Sequence, residues 1–314
     1  MHPPAATAWR RNVTRKPTLK TIAEISGLAV ATVSRALNDA PDIRADTKVL
    51  VRRIAADIGY VPNRAGVRLR TGRTNVISLI LATESDVMDN TSKLISAIAG
   101  TLRDTPYHLI VTPYFPDQDP MEPVRYMVET GSADAIILNQ TQPDDPRVKY
   151  LIEKGFPFAT HGRTSLGVEH AYFDYDNAAY GKIVVRRLVQ RGCKSIVMLA
   201  PPLWQSYSRH MSDAARAESA RLGVAFQVEN CATADDPNDR VRACVAERLR
   251  TNPEVDGYIC ASAQSAMATV AGVEDVGRSV GTDIQVAAKE AVPLLNLFRK
   301  EIIVLPEDVS RAGV

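Results

Sequence analysis

From Asn75 to about residue 305 the chain alternates short β-rich runs with helical stretches, and this alternation leaves few folds open. The runs are NVISLILA, YHLIVT, ADAIILN, FPFAT, SIVMLA, VAFQVE, DGYICA, DIQVAA and EIIVL. Between them lie segments such as NTSKLISAIAGTLRD, YGKIVVRRLVQRG and PNDRVRACVAERLRTN. Parallel strands need long crossovers, usually helical, so the pattern predicts parallel sheets wrapped by helices. About ten strands exceed what one such sheet usually holds, so two α/β subdomains are expected, the halves of a degenerate structural repeat.

The N-terminal part departs from this pattern. Residues 17–62 read as a small all-α head of three short helices. Thr18 caps the first, LKTIAEIS, and Gly27 ends it in a tight turn. The second is VATVSRALN, and the third is KVLVRRIAADIG, where Leu50, Ile54 and Ile58 predict a core-facing stripe. Residues 1–16 read as a flexible leader, 63–74 as a linker and 75–314 as the body. Charge separates the same parts. Residues 1–75 carry 14 Lys and Arg against 5 Asp and Glu, and the rest of the 314-residue chain carries 24 against 31. The net +2 conceals a basic head on an acidic body, which points to a polyanion partner for the head alone.

Three residues around Gly27 separate the first two helices, the spacing of a helix-turn-helix. A generic helical hairpin explains the apolar Ile22, Ala23, Leu28, Val33 and Leu37, but not the opposite face. There Val30, Ala31, Ser34 and Arg35 share one side of the second helix. Arg35 can donate two hydrogen bonds to guanine, and Val30 and Ala31 can press on thymine methyls. Thr32, Ser34 and Asn38 are short groups suited to phosphates, which position a helix without reading sequence.

The stretches TLKTIAEISGLAVATVSRALN and YVPNRAGVRLRTGRTNVISLI resemble the LacI/GalR family of bacterial transcription regulators. The likeness extends through FDYDNAAYGKIVVRRLVQRGCKSIVMLAPP, DGYICAS and GTDIQV, from residue 17 to about 290. It implies a homodimeric repressor whose head binds half of a pseudo-palindromic operator in double-stranded DNA. It also implies a body like periplasmic sugar-binding proteins, holding a small effector between two subdomains. The DNA-contacting set it implies is Thr18, Val30, Ala31, Thr32, Ser34, Arg35, Asn38, Asn63, Arg64, Arg68 and Leu69. Leu69, between Arg68 and Arg70, stands where the family wedges a leucine into the minor groove from a hinge helix. Two positions depart from the family. Gly66 replaces the usual alanine, at about 1 kcal/mol of helix propensity, and Ala29 replaces a common capping serine.

In paired α/β subdomains a ligand sits at the carboxyl ends of the strands. That rule selects Asp86, Tyr114, Asn139, His161, Arg163, Ser262 and Gln264. The resemblance adds Arg209 and Asp174, with Asp176 either bordering the pocket or capping the following helix. Ala263 stands where sugar-responsive relatives carry an aspartate, and VAAKEAV offers Lys289 and Glu290 farther on. Lys289, with His161 and Arg163, suits a sugar acid or sugar phosphate; alternatively Glu290 replaces the aspartate for a neutral sugar. The resemblance also implies further elements after EDVSRAG, so the C-terminal subdomain is expected to be cut short or closed differently.

Cys193, Cys231, Cys244 and Cys260 form no CxxC pair and are expected as reduced thiols in a cytoplasmic protein. No metal or cofactor is expected. No apolar run approaches ~18 residues, and MHPPAATAWRRN lacks the apolar core of a secretory signal. No GxGxxG after a strand, Walker loop, HExxH or GxSxG is present. The rival readings are a solute-binding protein, which needs an export signal, and an α/β enzyme with an incidental helical head, which needs a catalytic constellation.

Overall fold

The computed structural model describes residues 16–62, 66, 68, 71–83, 88–115 and 117–313. The chain divides into two units, ending at Thr74 and beginning at Asn75. In the first, α1 (Leu19–Ser26) opens on a capping box between Thr18 and Thr21 and closes on Gly27 at φ 70°. That left-handed backbone favours glycine, which has no Cβ to clash. Then come α2 (Val30–Leu37) and α3 (Ala45–Asp57). Ile22, Ala23, Val33, Ala36, Val51 and Ala55 form their common core, with Ile54 and Ile58 packed against it. The expected stripe on α3 holds at Ile54 and Ile58 and fails at Leu50. Leu50 is 45% exposed, and Val51 takes its place, because a helix of 3.6 residues per turn buries 51, 54, 55 and 58 together.

The second unit begins with β1 (Val76–Ala82), α4 (Met88–Thr101), β2 (His108–Tyr114), α5 (Met121–Thr130), β3 (Ala135–Leu138), α6 (Pro146–Glu153), β4 (Phe158–His161) and β5 (Ala171–Phe173). It continues with α7 (Asn177–Gln190), β6 (Ser195–Leu199), α8 (Ser206–Leu222), β7 (Ala225–Val228), α9 (Asn238–Thr251), β8 (Gly257–Cys260) and α10 (Ala263–Asp275). Last come β9 (Gln285–Glu290), α11 (Leu295–Phe298), β10 (Ile303–Pro306) and a 3₁₀ helix at Val309–Gly313. The strands form two five-stranded sheets, ordered β2-β1-β3-β4-β5 and β10-β9-β8-β6-β7. Every pairing is parallel. Read from the other edge, the second sheet repeats the winding of the first, as the two-subdomain reading anticipates. β5 is the strand missed in the sequence: three half-exposed residues at a sheet edge carry little hydrophobic signal.

Parallel strands covered on both faces are apolar almost throughout. On β1, Val76 and Ile80 join Val124, Met127, Val148 and Leu151 of α5 and α6. Leu79 and Leu81 face Leu94 and Ile98 of α4 on the other side. Val309 completes that second cluster, so the chain returns to the first subdomain after building the second. Among the described residues no helix is long and apolar enough to cross a membrane.

One expectation fails here. Cys231 and Cys244 are joined by a disulfide, with Cα atoms 5.9 Å apart, while Cys193 and Cys260 are free and buried. A separation of 13 residues hides the pairing from sequence, because it is the fold that lays α9 against the loop after β7.

Candidate DNA-reading helix and ligand cavity

On α2 the burial of Val33 and Ala36 turns Val30, Ala31 and Arg35 outward. Val30 is 44% exposed, and Arg35 makes an exposed ion pair with Asp42. Thr32 and Ser34 are half-buried, and Asn38 donates from Nδ2 to the Ser34 carbonyl at 2.6 Å. Ala29 precedes the helix without a side-chain cap. Asp39 gathers Lys48 and Arg52 at 3.2 and 2.9 Å. In the linker, Gly66, Arg68 and Thr71 have helical backbone, and the Gly72 N–H donates to the Arg68 carbonyl at 2.8 Å. Asn63, Arg64 and Leu69 lie outside the described residues, as does Asp86.

In the second unit a cleft of about 750 Å³, solvent at its mouth included, lies at the carboxyl ends of strands from both sheets. Asn139, Gln140, His161 and Gly162 line it after β3 and β4, and Pro201, Ala261 and Ser262 after β6 and β8. Asp174, Tyr175 and Asn177 come from the passage between subdomains, and Lys289, Glu307 and Val309 from β9 and the returning segment. Asn139 and Gln140 are fixed from behind. Arg147, fully buried and paired with Asp145 at 2.7 Å, donates to their carbonyls at 3.2 and 3.0 Å. Gln140 is held at φ 51°, an uncommon conformation for a residue with a side chain. Gly162, at φ 113°, passes so close to Thr141 that a Cβ would overlap its hydroxyl.

Several polar groups in the cleft are buried without a protein partner: both amide atoms of Gln140, His161 Nε2 and the Tyr175 hydroxyl. His161 Nδ1 donates to Asn139 Oδ1 at 2.9 Å, which leaves Nε2 as an acceptor. Burial holds the imidazole below its ordinary 6.5, against the opposing pull of Glu307 and Asp174. The carboxylates facing the cleft are Asp174, Asp235 and Glu307.

The pattern described as "Bacterial regulatory proteins, lacI family" matches residues 18–63, and "Periplasmic binding proteins and sugar binding domain of LacI family" matches 74–305. The chain belongs to the LacI family. It is a DNA-binding transcriptional regulator rather than an enzyme. The regulator AglR of Rhizobium meliloti is 27% identical over 304 residues, covering 94% of this chain and 83% of AglR. RafR of Escherichia coli is 37% identical over 191 residues, covering 60% of this chain and 56% of RafR. Among solved structures, the lac repressor dimer bound to operator and the anti-inducer ONPF aligns with a TM-score of 0.80 at 18% identity. That match covers 95% of this chain and 90% of that one.

Of the effector residues named from sequence, this LacI-family chain brings Asn139, His161, Asp174, Ser262 and Lys289 to the cleft. Tyr114 is buried behind it, where it interacts with Arg147. Gln264 donates to Asn238 at 3.1 Å, away from the cleft. Arg209 Nε donates to the Leu203 carbonyl at 2.7 Å, and Arg163 Nε to Asp174 at 2.8 Å. Asp176 caps α7 through the Ala179 N–H at 2.7 Å.

Glu290 is corrected. Its carboxylate accepts the Leu294 and Leu295 N–H groups at 3.0 and 2.9 Å, so it starts α11 and does not line the cleft. Neighbouring residues on a strand point to opposite faces, and Lys289 and Glu290 cannot both turn inward. The sequence reading missed Gln140, Tyr175, Asn177, Tyr207, Asp235 and Glu307. Extending the end-of-strand rule to β10 would have reached Glu307.

Proposed function

We propose that this regulator is a cytoplasmic, homodimeric repressor whose operator affinity is set by a neutral, polyhydroxylated sugar in the cleft. The proposed DNA readers are Val30, Ala31 and Arg35, with Thr18, Thr32, Ser34, Asn38, Asn63, Arg64 and Arg68 on the backbone and Leu69 as the minor-groove wedge. The matched pattern named for the "sugar binding domain of LacI family" and the solved complex named "transcriptional regulator CelR-cellobiose complex" support a carbohydrate effector.

The observation that carries the neutral reading is the set of unpartnered groups in the cleft. Gln140, His161 Nε2 and the Tyr175 hydroxyl offer donors and acceptors in one place. A polyol satisfies both kinds, because each hydroxyl donates once and accepts twice. The cations that would suit an acid or phosphate are already engaged. Lys289 pairs with Glu307 at 3.2 Å, Arg163 with Asp174, and Arg209 turns to a carbonyl. An anion would also face the lone pair of His161 and the carboxylates of Asp235 and Glu307.

Calorimetric titration with matched pairs tests this: glucose with glucuronate, galactose with galacturonate, cellobiose with cellobionate. The neutral member of a binding pair should bind at least about tenfold more tightly, about 1.4 kcal/mol. Tighter binding of the acid, lost in Lys289→Met, would overturn the reading.

A further inference from the structure

The loop between β7 and α9 enters the cleft through Ala234 and Asp235. Asp235 accepts a hydrogen bond from Gln205 Nε2 at 3.0 Å, so the loop is coupled to the start of α8. Within the loop, Asp236 accepts from the Thr233 N–H and hydroxyl at 2.7 and 3.0 Å. The loop is tied to α9 by Glu229 with Arg248 at 2.7 Å, by the Arg240 guanidinium on the Cys231 carbonyl at 3.1 and 3.3 Å and on Asp236 at 2.8 Å, and by the Cys231–Cys244 bridge.

The two sulfurs differ in access. Cys231 is exposed, and Cys244 is buried on α9. Glu229 and the Arg240–Asp236 pair are the charged groups beside the bridge, so the ease of attack on Cys231 rests on its exposure. Cys193 and Cys260 are unlike this pair, since burial pushes each thiol up to about 12 and leaves it inert. A DNA-binding regulator works where thiols are held reduced, and disulfides in such compartments are usually transient. A bridge between one exposed and one buried sulfur is therefore placed to open and close.

We propose that Cys231 and Cys244 form a redox-responsive clasp on the effector loop. Closed, it holds Asp235 in the cleft; open, it frees a loop that the effector must then order, which lowers affinity. The inference rests on reading the cleft as the effector site. The closing oxidant is a peroxide. The Cys231 thiolate attacks one peroxide oxygen, forming a sulfenic acid and releasing hydroxide. The Cys244 sulfur then displaces the sulfenic hydroxyl, and two water molecules account for the peroxide oxygens and the two thiol protons. A small dithiol reverses the step by exchange, closing its own disulfide and returning two thiols.

Hydrogen exchange on the full chain, after hydrogen peroxide or after dithiothreitol, tests the clasp without any effector. Alkylation under denaturing conditions should find two thiols after peroxide and four after dithiothreitol. Amides of residues 229–236 should exchange about tenfold faster in the reduced form, and the change should extend to 203–206 through Gln205. Cys231→Ser should match the reduced form and ignore peroxide. Equal exchange in the two forms, or four alkylated thiols after peroxide, would overturn the proposal. So would a stoichiometric zinc ion held by Glu229, Cys231 and Cys244, whose ligand atoms lie within 4.8 Å of one another. If no sugar binds, the effector reading fails while the exchange result still decides whether the clasp exists.

Discussion

Arg35 illustrates how one side chain is prepared for a partner. It is exposed and paired with Asp42, and an exposed pair is worth at most about 1 kcal/mol. A bidentate contact to guanine gains about 1–3 kcal/mol of discrimination, so the exchange of partners favours DNA. Arg35→Ala should therefore cost on the order of 1–3 kcal/mol on an operator selected from a random library and relax preference at one base pair per half-site. Gel-shift titration across single-base variants checks this, and a uniform loss over all sequences would make Arg35 a phosphate contact. His161 gives a pH prediction. Its folded-state value is depressed below 6.5, so as pH falls through 6.5 the unfolded chain takes up the proton first. Stability from this residue is present above that pH and lost below it, at no more than about 1.4 kcal/mol per pH unit. Urea midpoints from pH 5 to 8 should fall more steeply on the acid side for the parent chain than for His161→Gln. Parallel curves would mean that His161 is not buried as a neutral ring.

Between elements, the linker is the place where substitution should strengthen function. Gly66 has helical backbone, and a Cβ there would meet nothing within 4 Å. Gly66→Ala should pre-form the helix by about 1 kcal/mol and tighten operator binding about fivefold, read by fluorescence anisotropy. Unchanged or weaker binding would show that the linker is already formed, or that DNA approaches the glycine backbone. The elements were legible in the sequence wherever apolar periodicity was strong, as in α1, α2 and nine of the ten strands. β5 was not, being three residues long, and neither was the burial of Val51 in place of Leu50 on α3, which packing against α1 and α2 decides. The cleft was legible where it follows the ends of well-marked strands, at Asn139, His161 and Ser262. It was illegible where side-chain direction matters, as at Glu290, and where a residue well past its strand meets a distant segment, as at Asp235. No local pattern encodes such meetings.

Across the whole second unit, two sheets of the same winding face one cleft, and both passages between them contribute to its lining. The halves are also bridged directly, by the Ser206 N–H on the Thr141 carbonyl at 2.8 Å and by Lys93 on the Ala291 carbonyl. A ligand touching both halves biases their relative arrangement by the difference in its affinity for the alternatives. Val309, fully buried in the core of the first subdomain, ties that core to the far end of the second. Val309→Ala should lower stability by about 2 kcal/mol and act on both subdomains at once, giving one shifted transition by circular dichroism and by Trp204 fluorescence. Two separated transitions would show that the subdomains unfold independently. The same tie constrains how the protein is made. Leu79 and Leu81 leave the ribosome roughly 230 residues before Val309, an interval of about 10–50 s at common synthesis rates. Through that interval the α4 face of the first sheet lacks its final cover. The nascent first subdomain therefore waits, partly open, for the second to be finished, and its exposed leucines are where a chaperone would find it.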